Sequence, residues 1–311
     1  MSSISSAALL RALTAGDEPV AVETLADRLS STVGAVEDAI GVLEASGFDV
    51  DRTGAGIRID TVPAYGLGVQ YGLAAPFSIE YHDRLASTND RARELARTTA
   101  GEWAVLADRQ TGGRGRRDRR WTSPTGGIWC SVLLRPTLSS DRASLLTLAA
   151  AVAVTDAVRE AGVQAAIKWP NDVLAPDGGK LAGILLETAS SGASVSWAII
   201  GLGLNAAVDP AALPADATSL QAWTDAVDRR SLTQSILEGL DDLRHRLDTV
   251  PDAWRDRSTT LDRRVRIDVD ADTGSVIGRA VDIDATGALL LETDQGRRRI
   301  TVGDCEHLRP V

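Results

Sequence analysis

The chain has 311 residues, which is enough for two or three domains with buried cores. Its formal net charge is −10, from 33 Lys and Arg against 43 Asp and Glu, and this argues against a general nucleic-acid-binding or membrane-surface protein. Acidity combined with a shortage of lysine is typical of adaptation to high salt, although ordinary acidic proteins share the first property.

The cysteines, the histidines and the shortness of the apolar runs argue against disulfides, a histidine metal site, a membrane helix and a signal peptide. Cys130 and Cys305 lie far apart, so a reduced cytoplasmic chain without disulfides is expected. His82, His245 and His307 form no ligand pair at helical spacing, and no metal site is predicted. The sequence shows neither a run of about 18 apolar residues nor the basic start and apolar core of a signal peptide.

Lysine occurs at only two positions, Lys168 and Lys180. Because arginine supplies positive charge everywhere else, we interpret the retained lysines as functional. An ammonium is a compact point charge on a flexible stem, and a planar guanidinium does not replace it. We predict that a small anionic reactant is held near Lys168; a stray lysine on a strand is the alternative.

Residues 1–62 are predicted to form three helices and a hairpin. Apolar residues at helical spacing cover 7–14, 23–29 and 33–45, and residues 48–51 and 57–59 alternate as strands. This order is that of a winged helix-turn-helix, which suggests DNA binding. The segment carries ten acidic and four basic residues, however, and phosphate contacts normally dominate DNA affinity. DNA binding and a structural or dimerising role both remain open.

Residues 63–260 alternate strands, helices and glycine-containing loops. Residues 66–75 are predicted to be a linker or an entry loop, and residues 215–230 a loop. Strands are predicted at 77–81, 103–107, 128–134, 165–174, 180–188 and 195–204, and helices at 87–97, 141–161 and 231–247.

One loop of this region concentrates arginine and glycine. Residues 109–121 contain six arginines and three glycines. Glycine lets backbone N–H groups approach an anion, and guanidinium groups match phosphate or carboxylate oxygens. The spacing is not that of a Walker A loop. We predict an anion-binding loop; a solvated basic loop or a nucleic-acid patch is the alternative.

Residues 261–311 change to short strands separated by turns. Strands are predicted at 265–269, 275–283, 288–292 and 297–302, a spacing typical of a small barrel. No catalytic constellation occurs there, so the barrel is expected to pack on the central domain or to help bind a partner.

Several short motifs follow one another along the chain. They are Ser87-Thr88-Asn89; Gln110, Gly113-Arg114-Gly115-Arg116-Arg117, Arg120-Trp121, Ser123-Pro124 and Gly126; Lys168-Trp169-Pro170-Asn171-Asp172; Gly179-Lys180-Leu181-Ala182-Gly183-Ile184-Leu185; and Gly201-Leu202-Gly203-Leu204-Asn205. In this order they resemble the motifs of the biotin–protein ligase family. One departure is Asp118, where the family usually has glycine; it would stiffen the loop or lower its charge.

This resemblance implies an α+β chain of three domains. A winged helix-turn-helix would occupy residues 1–62. A catalytic biotin- and ATP-binding domain, built on a class II synthetase-like mixed sheet with helices, would occupy 63–260. A small SH3-like β-barrel would occupy 261–311.

The resemblance also implies a two-step reaction, in which biotin and ATP form biotinyl-5′-AMP and the biotinyl group then passes to a carrier lysine. Lys168, Arg114 and Arg116 would be catalytic, and Lys180 would play a supporting part. Asp172 would orient or deprotonate the acceptor amine; a structural carboxylate of the hairpin is the alternative. Mg²⁺ would accompany the triphosphate. The residues expected to bind biotin or biotinyl-AMP are Ser87, Thr88, Asn89, Gln110, Arg114, Gly115, Arg116, Trp121, Lys168, Lys180, Gly183 and Asn205.

The expected partner is the biotin carboxyl carrier domain of a biotin-dependent carboxylase. A biotin-sensing repressor is a compatible second function, with operator DNA and a homodimer as possible partners. A lipoate or octanoyl ligase of related fold is the alternative activity.

Overall fold

The computed structural model describes residues 4–16, 18–270 and 274–308, without the side chains of residues 118 and 270. The effect of Asp118 on the arginine loop therefore lies outside the described residues. Among the helices described, none combines the length and the apolar character that crossing a membrane requires.

The first five elements follow the predicted order of three helices and a hairpin. They are α1 (Ser6–Leu13), α2 (Val22–Arg28), α3 (Val33–Ala45), β1 (Asp49–Thr53) and β2 (Gly56–Thr61). Thr32 caps α3 by accepting a hydrogen bond from the backbone N–H of Ala35 at 3.2 Å. Leu9, Leu25 and Ile40, one from each helix, are fully buried in a core that belongs to this part of the chain.

A seven-stranded mixed sheet forms the centre of the molecule. Its spatial order is β3-β4-β5-β9-β8-β7-β6, with β3 and β4 parallel and the other neighbours antiparallel. The strands are β3 (Ser78–Leu85), β4 (Trp103–Gln110), β5 (Ile128–Leu134), β6 (Ala166–Lys168), β7 (Asp172–Leu174), β8 (Lys180–Ser191) and β9 (Ser194–Leu204).

Four helices accompany this sheet: α4 (Thr88–Thr98), α5 (Ser144–Glu160), α6 (Arg229–Arg244) and α7 (Val250–Arg255). Helix α5 is almost entirely buried, because it packs against α6 and α7 as well as against the sheet. The short α7 was not predicted.

Two sequence predictions in this region are wrong. Residues 66–75 are not a linker, because a 3₁₀ helix at Gly66–Gln70 is buried and the Gln70 amide accepts from Ile79 N at 2.8 Å. Residues 165–174 do not form one strand, since the chain turns at residues 169–171 and β6 and β7 pair with each other. Lys168 is therefore the last residue of a strand, directly opposite Asp172.

The C-terminal elements form a five-stranded antiparallel sheet of order β13-β12-β11-β10-β14. The first four strands were predicted and β14 was not. This sheet shares one continuous core with the central region, and Trp169 donates to Gly287 O at 3.2 Å across the junction. The strands are β10 (Arg264–Asp270), β11 (Gly274–Ile283), β12 (Leu289–Thr293), β13 (Gly296–Ile300) and β14 (Asp304–His307).

Candidate active site

A cavity of about 220 Å³ lies among β8, β9, the start of α4 and the arginine loop. The fold brings eleven of the twelve predicted ligand-binding residues to its wall. These are Ser87, Thr88, Asn89, Gln110, Arg114, Gly115, Arg116, Trp121, Lys180, Gly183 and Asn205.

A hydrogen-bonded network of uncharged groups forms one wall of the cavity. Gln110 Oε1 accepts from the Thr88 backbone N–H at 2.8 Å, and Gln110 Nε2 donates to Ser123 Oγ at 3.0 Å. Ser131, which was not predicted, lies behind this wall, with its hydroxyl 2.7 Å from Thr88 Oγ1 and 2.5 Å from Asn89 Oδ1. A fully buried hydroxyl in the otherwise apolar β5 is the signal that could have identified Ser131. The wall suits an uncharged polar group of a ligand.

Glycines on two neighbouring strands form a flat seat for Trp121. Gly183 and Gly203 are direct cross-strand partners. A Cβ atom at Gly203 would lie 2.6 Å from Trp121 Nε1, and one at Gly183 would lie 3.1 Å from the same ring, so side chains at these positions would collide with the indole. Trp121 Nε1 is buried and finds no hydrogen-bond partner among the described residues. An aromatic ring with a spare donor thus lines the cavity.

Lys180 supplies an ammonium to the cavity. Its Nζ atom lies 2.6 Å from Asp172 Oδ1 and 5.1 Å from the centre of the Trp121 ring. The contact with Asp172 is an ion pair. Lys180 was expected to play a supporting part, and it lies beside the indole and the glycine seat.

Lys168 is not among the residues that line this cavity, and its predicted part in catalysis stays a prediction. It lies directly opposite Asp172, whose cross-strand partner on β8 is Gly183, so the three residues share one face of the sheet. Burial, followed by the charges of Lys168 and Arg263, lowers the pKa of His307 to about 4. The pKa of Cys305 is raised to about 12 by burial, and Lys168 opposes that shift. The charge of Lys168 is therefore felt in the C-terminal sheet, next to the face that carries the glycine seat.

The arginine loop is folded back on itself, and the guanidinium groups of Arg114, Arg116, Arg117 and Arg119 have partners. Gly115 N donates to Arg119 O at 2.7 Å. Arg114 binds Asp90 through two hydrogen bonds of 2.5 and 3.1 Å, and the pKa of Asp90 is lowered mainly by these bonds. Arg116 donates to Asn171 Oδ1 at 3.1 Å, and burial lowers the pKa of its guanidinium. Positive groups therefore stand along one side of the cavity.

Asn205 acts in this structure as a brace. Its amide nitrogen donates to Thr218 O at 2.9 Å and to Lys180 O at 3.3 Å, joining the 213–219 segment to the start of β8. Its Oδ1 atom is buried and accepts no hydrogen bond from the described part of the chain. The bracing role was not predicted.

The donor set does not fit a protein-held metal ion. In residues 4–16, 18–270 and 274–308 no group of three His, Cys, Asp or Glu side chains is arranged to hold one. Asp172 is engaged by Lys180, so it does not offer a free carboxylate. The cavity can hold an anion beside an uncharged polar group, and a divalent cation would have to arrive bound to its ligand.

Comparison with known proteins gives consistent matches along the chain. Residues 81–205 match the biotin/lipoate A/B protein ligase family, and residues 260–308 match the biotin protein ligase C-terminal domain. The bifunctional ligase/repressor BirA of Bacillus subtilis is 35% identical, over 94% of this chain and 95% of the relative. The biotin–[acetyl-CoA-carboxylase] ligase of Paracoccus denitrificans is 36% identical, over 71% and 97%.

A solved structure agrees in fold. The biotin protein ligase of Aquifex aeolicus in complex with biotin and ATP has a TM-score of 0.62 and 26% identity, over 75% of this chain and 99% of that one. Both have the biotin protein ligase fold, a mixed sheet with helices and a C-terminal antiparallel sheet. The chain belongs to the biotin–protein ligase family.

Proposed function

We propose that this chain is an ATP-dependent biotin–protein ligase. In the first step the biotin carboxylate attacks the α-phosphate of ATP, which forms biotinyl-5′-AMP and releases pyrophosphate. In the second step a carrier lysine attacks the acyl carbon and AMP leaves. The observation that carries this proposal is the cavity in which Lys180 and the arginine loop face a wall of uncharged hydrogen-bonding groups.

The first step joins two anions, so fixed positive charge and positioning must supply most of the barrier lowering. We assign Lys168 as the ammonium that bonds the carboxylate and the α-phosphate, with Lys180 in a supporting part. Arg114 and Arg116, with Gly115 between them, would cover the acyl-adenylate and exclude water. Asp172, which pairs with Lys180 and lies opposite Lys168, would orient or deprotonate the acceptor amine.

Recognition of the uncharged biotin head is assigned to Ser87, Thr88, Asn89 and Gln110. A site built of hydrogen-bonding groups rejects a ligand that leaves those groups unpaired, which favours biotin over the purely aliphatic octanoyl chain. Trp121 would wall the adenylate, with Asn205 near the nucleotide. Mg²⁺ would enter on the triphosphate.

A test of this function is pyrophosphate release measured with biotin, lipoic acid and octanoic acid in turn. Biotin alone should support release, and a mass spectrum of the incubated protein should contain retained biotinyl-5′-AMP. Transfer is then measured to the biotin carboxyl carrier domain of a biotin-dependent carboxylase. Equal release with all three acids would overturn the assignment.

We also propose that residues 1–62 form a winged helix-turn-helix, residues 63–260 the catalytic domain and residues 261–311 an SH3-like barrel. The Bacillus subtilis relative is named as a repressor and aligns along nearly the whole chain, which supports biotin-responsive repression in the cytoplasm as a second function. The homodimer would bind operator DNA with biotinyl-5′-AMP as corepressor.

The acidic side chains on the surface of α3 oppose the binding of DNA that this second function requires. Arg52 of the hairpin is held by Glu37 and Glu44 at 2.9 and 3.0 Å, so this cation is already engaged by acidic side chains of α3. Gel-shift assays in molar salt, with and without biotin and ATP, test the proposal. Absence of binding in every condition would leave residues 1–62 a structural role.

A further inference from the structure

Three guanidinium groups of the arginine loop converge on one carboxylate of the C-terminal sheet. Asp304, the first residue of β14, lies 3.5 Å from Arg116, 3.4 Å from Arg117 and 3.1 Å from Arg119. The carboxylate is about three-quarters buried, with 24% of its side chain exposed. It therefore joins two parts of the chain that are 185 residues apart.

Backbone carbonyl groups of the same sheet complete this attachment. Arg116 donates to Gly303 O at 2.9 Å, and Arg117 donates to Asp268 O at 2.8 Å and also to Val269 O. Arg117 has a φ of 54°, a left-handed conformation that an arginine adopts at a cost. The contacts made by its side chain hold the loop in this conformation.

The charges explain why the carboxylate matters more than the carbonyl groups. Three guanidinium groups within reach of one another repel, and Arg116 is largely buried, where that repulsion is less screened. One carboxylate lowers the repulsion without neutralising the cluster, so positive charge remains beside the cavity for an incoming anion. Without Asp304 the three arginines would separate and the loop would leave the sheet.

We propose that Asp304 is a positioning residue that docks the arginine loop on the C-terminal sheet and so sets the affinity for the triphosphate. Its effect on catalysis rests on the proposed ligase function, whereas its effect on the loop does not. Asp304 lies outside both the cavity wall and the predicted site residues.

The loop is tested first, without ligands. Trypsin cuts after arginine, and the first cut is located by mass spectrometry in wild type, Asp304→Asn, Asp304→Glu and Glu306→Gln. Glu306 is the matched control, because it lies on the same strand and pairs with Arg266 instead of the loop. Cleavage within residues 114–120 should be about ten-fold faster in Asp304→Asn, since three weak ion pairs are lost together, and near wild type in the other two variants.

Steady-state kinetics then measure the effect on the reaction. Asp304→Asn should raise KM for ATP about ten-fold with kcat within about two-fold, and Asp304→Glu should recover most of the loss. A variant that merely lost folded protein would lower kcat at unchanged KM, and this result would overturn the proposal. Unchanged loop cleavage in Asp304→Asn would also overturn it, independently of any ligase activity. Wild-type protein that fails to release pyrophosphate but protects its loop would instead refute the proposed function alone.

Discussion

The two lysines offer the most direct test of how the site works. We expect Lys168→Met to lower kcat/KM for pyrophosphate release by about 10²–10³, because a fixed charge aimed at developing charge contributes on the order of 2.7–4 kcal/mol. Lys180→Met leaves Asp172 without its paired cation and removes the ammonium beside Trp121. Because Lys180 is assigned a supporting part, this second change should cost less than the first.

Lys168→Arg adds a test of shape. A planar guanidinium keeps the charge of Lys168 but not its compact form, so it should recover little activity. Biotin- and ATP-dependent pyrophosphate release is the assay, and thermal unfolding confirms that each variant is folded. A severe loss in Lys180→Met with near-normal turnover in Lys168→Met would refute the assignment of the catalytic ammonium.

Three further changes probe the glycine seat, the polar wall and the C-terminal sheet. Gly203→Ala should displace Trp121 and raise KM for ATP about ten-fold, because the new Cβ would lie 2.6 Å from the indole nitrogen. Ser131→Ala should raise KM for biotin five- to ten-fold at roughly constant kcat, since it leaves the buried polar groups of Thr88 and Asn89 with one partner fewer. His307→Asn should weaken the loss of thermal stability between pH 6.5 and about 4, because the folded histidine has its pKa lowered to about 4 while the unfolded one takes up a proton below 6.5.

The first two of these changes have a control within the chain. Gly41→Ala on α3 adds a Cβ with no atom within 4 Å, and Thr155→Ala removes a buried hydroxyl of α5 that bonds only its own helix. Neither should alter a KM. For His307 the direction of the change in thermal stability with pH is decisive. If His307→Asn lost stability more steeply than wild type as the pH fell, that result would contradict a neutral, buried histidine.

The positions of the cavity residues could be predicted because motifs fix them locally. Ser87-Thr88-Asn89 begin a helix, Gly201 and Gly203 lie near the end of a strand, and each motif occupies one side of the same sheet. The placement of Lys168 and Lys180 around Asp172 could not be predicted, since it depends on the turn at residues 169–171 and on a register shift next to Leu174. These features bring both lysines beside the same acidic residue, and neither alters composition or spacing.

Long-range contacts were equally invisible in the sequence. Asp304 is a single acidic residue in an acidic chain, and nothing local distinguishes it from Glu306 two positions later. Ser131 stood out only as a hydroxyl in an apolar strand, and its contacts with Thr88 and Asn89 became visible only in the fold. A side chain that acts by contacting a motif on another element can be identified only in the folded structure. Its function depends on that contact and not on the residue type.

The cations around the cavity are held, before any ligand arrives, by carboxylates from separate elements. Asp90 of α4 holds Arg114, and Asp172 of β7 holds Lys180. Asp304 of β14 holds three further arginines of the loop. An anionic ligand must therefore compete with existing ion pairs, and its binding free energy is a difference between two sets of charge contacts. Such a cavity favours a ligand with several negative groups placed to replace several carboxylates at once. A triphosphate beside a carboxylate meets that requirement, and a single small anion does not.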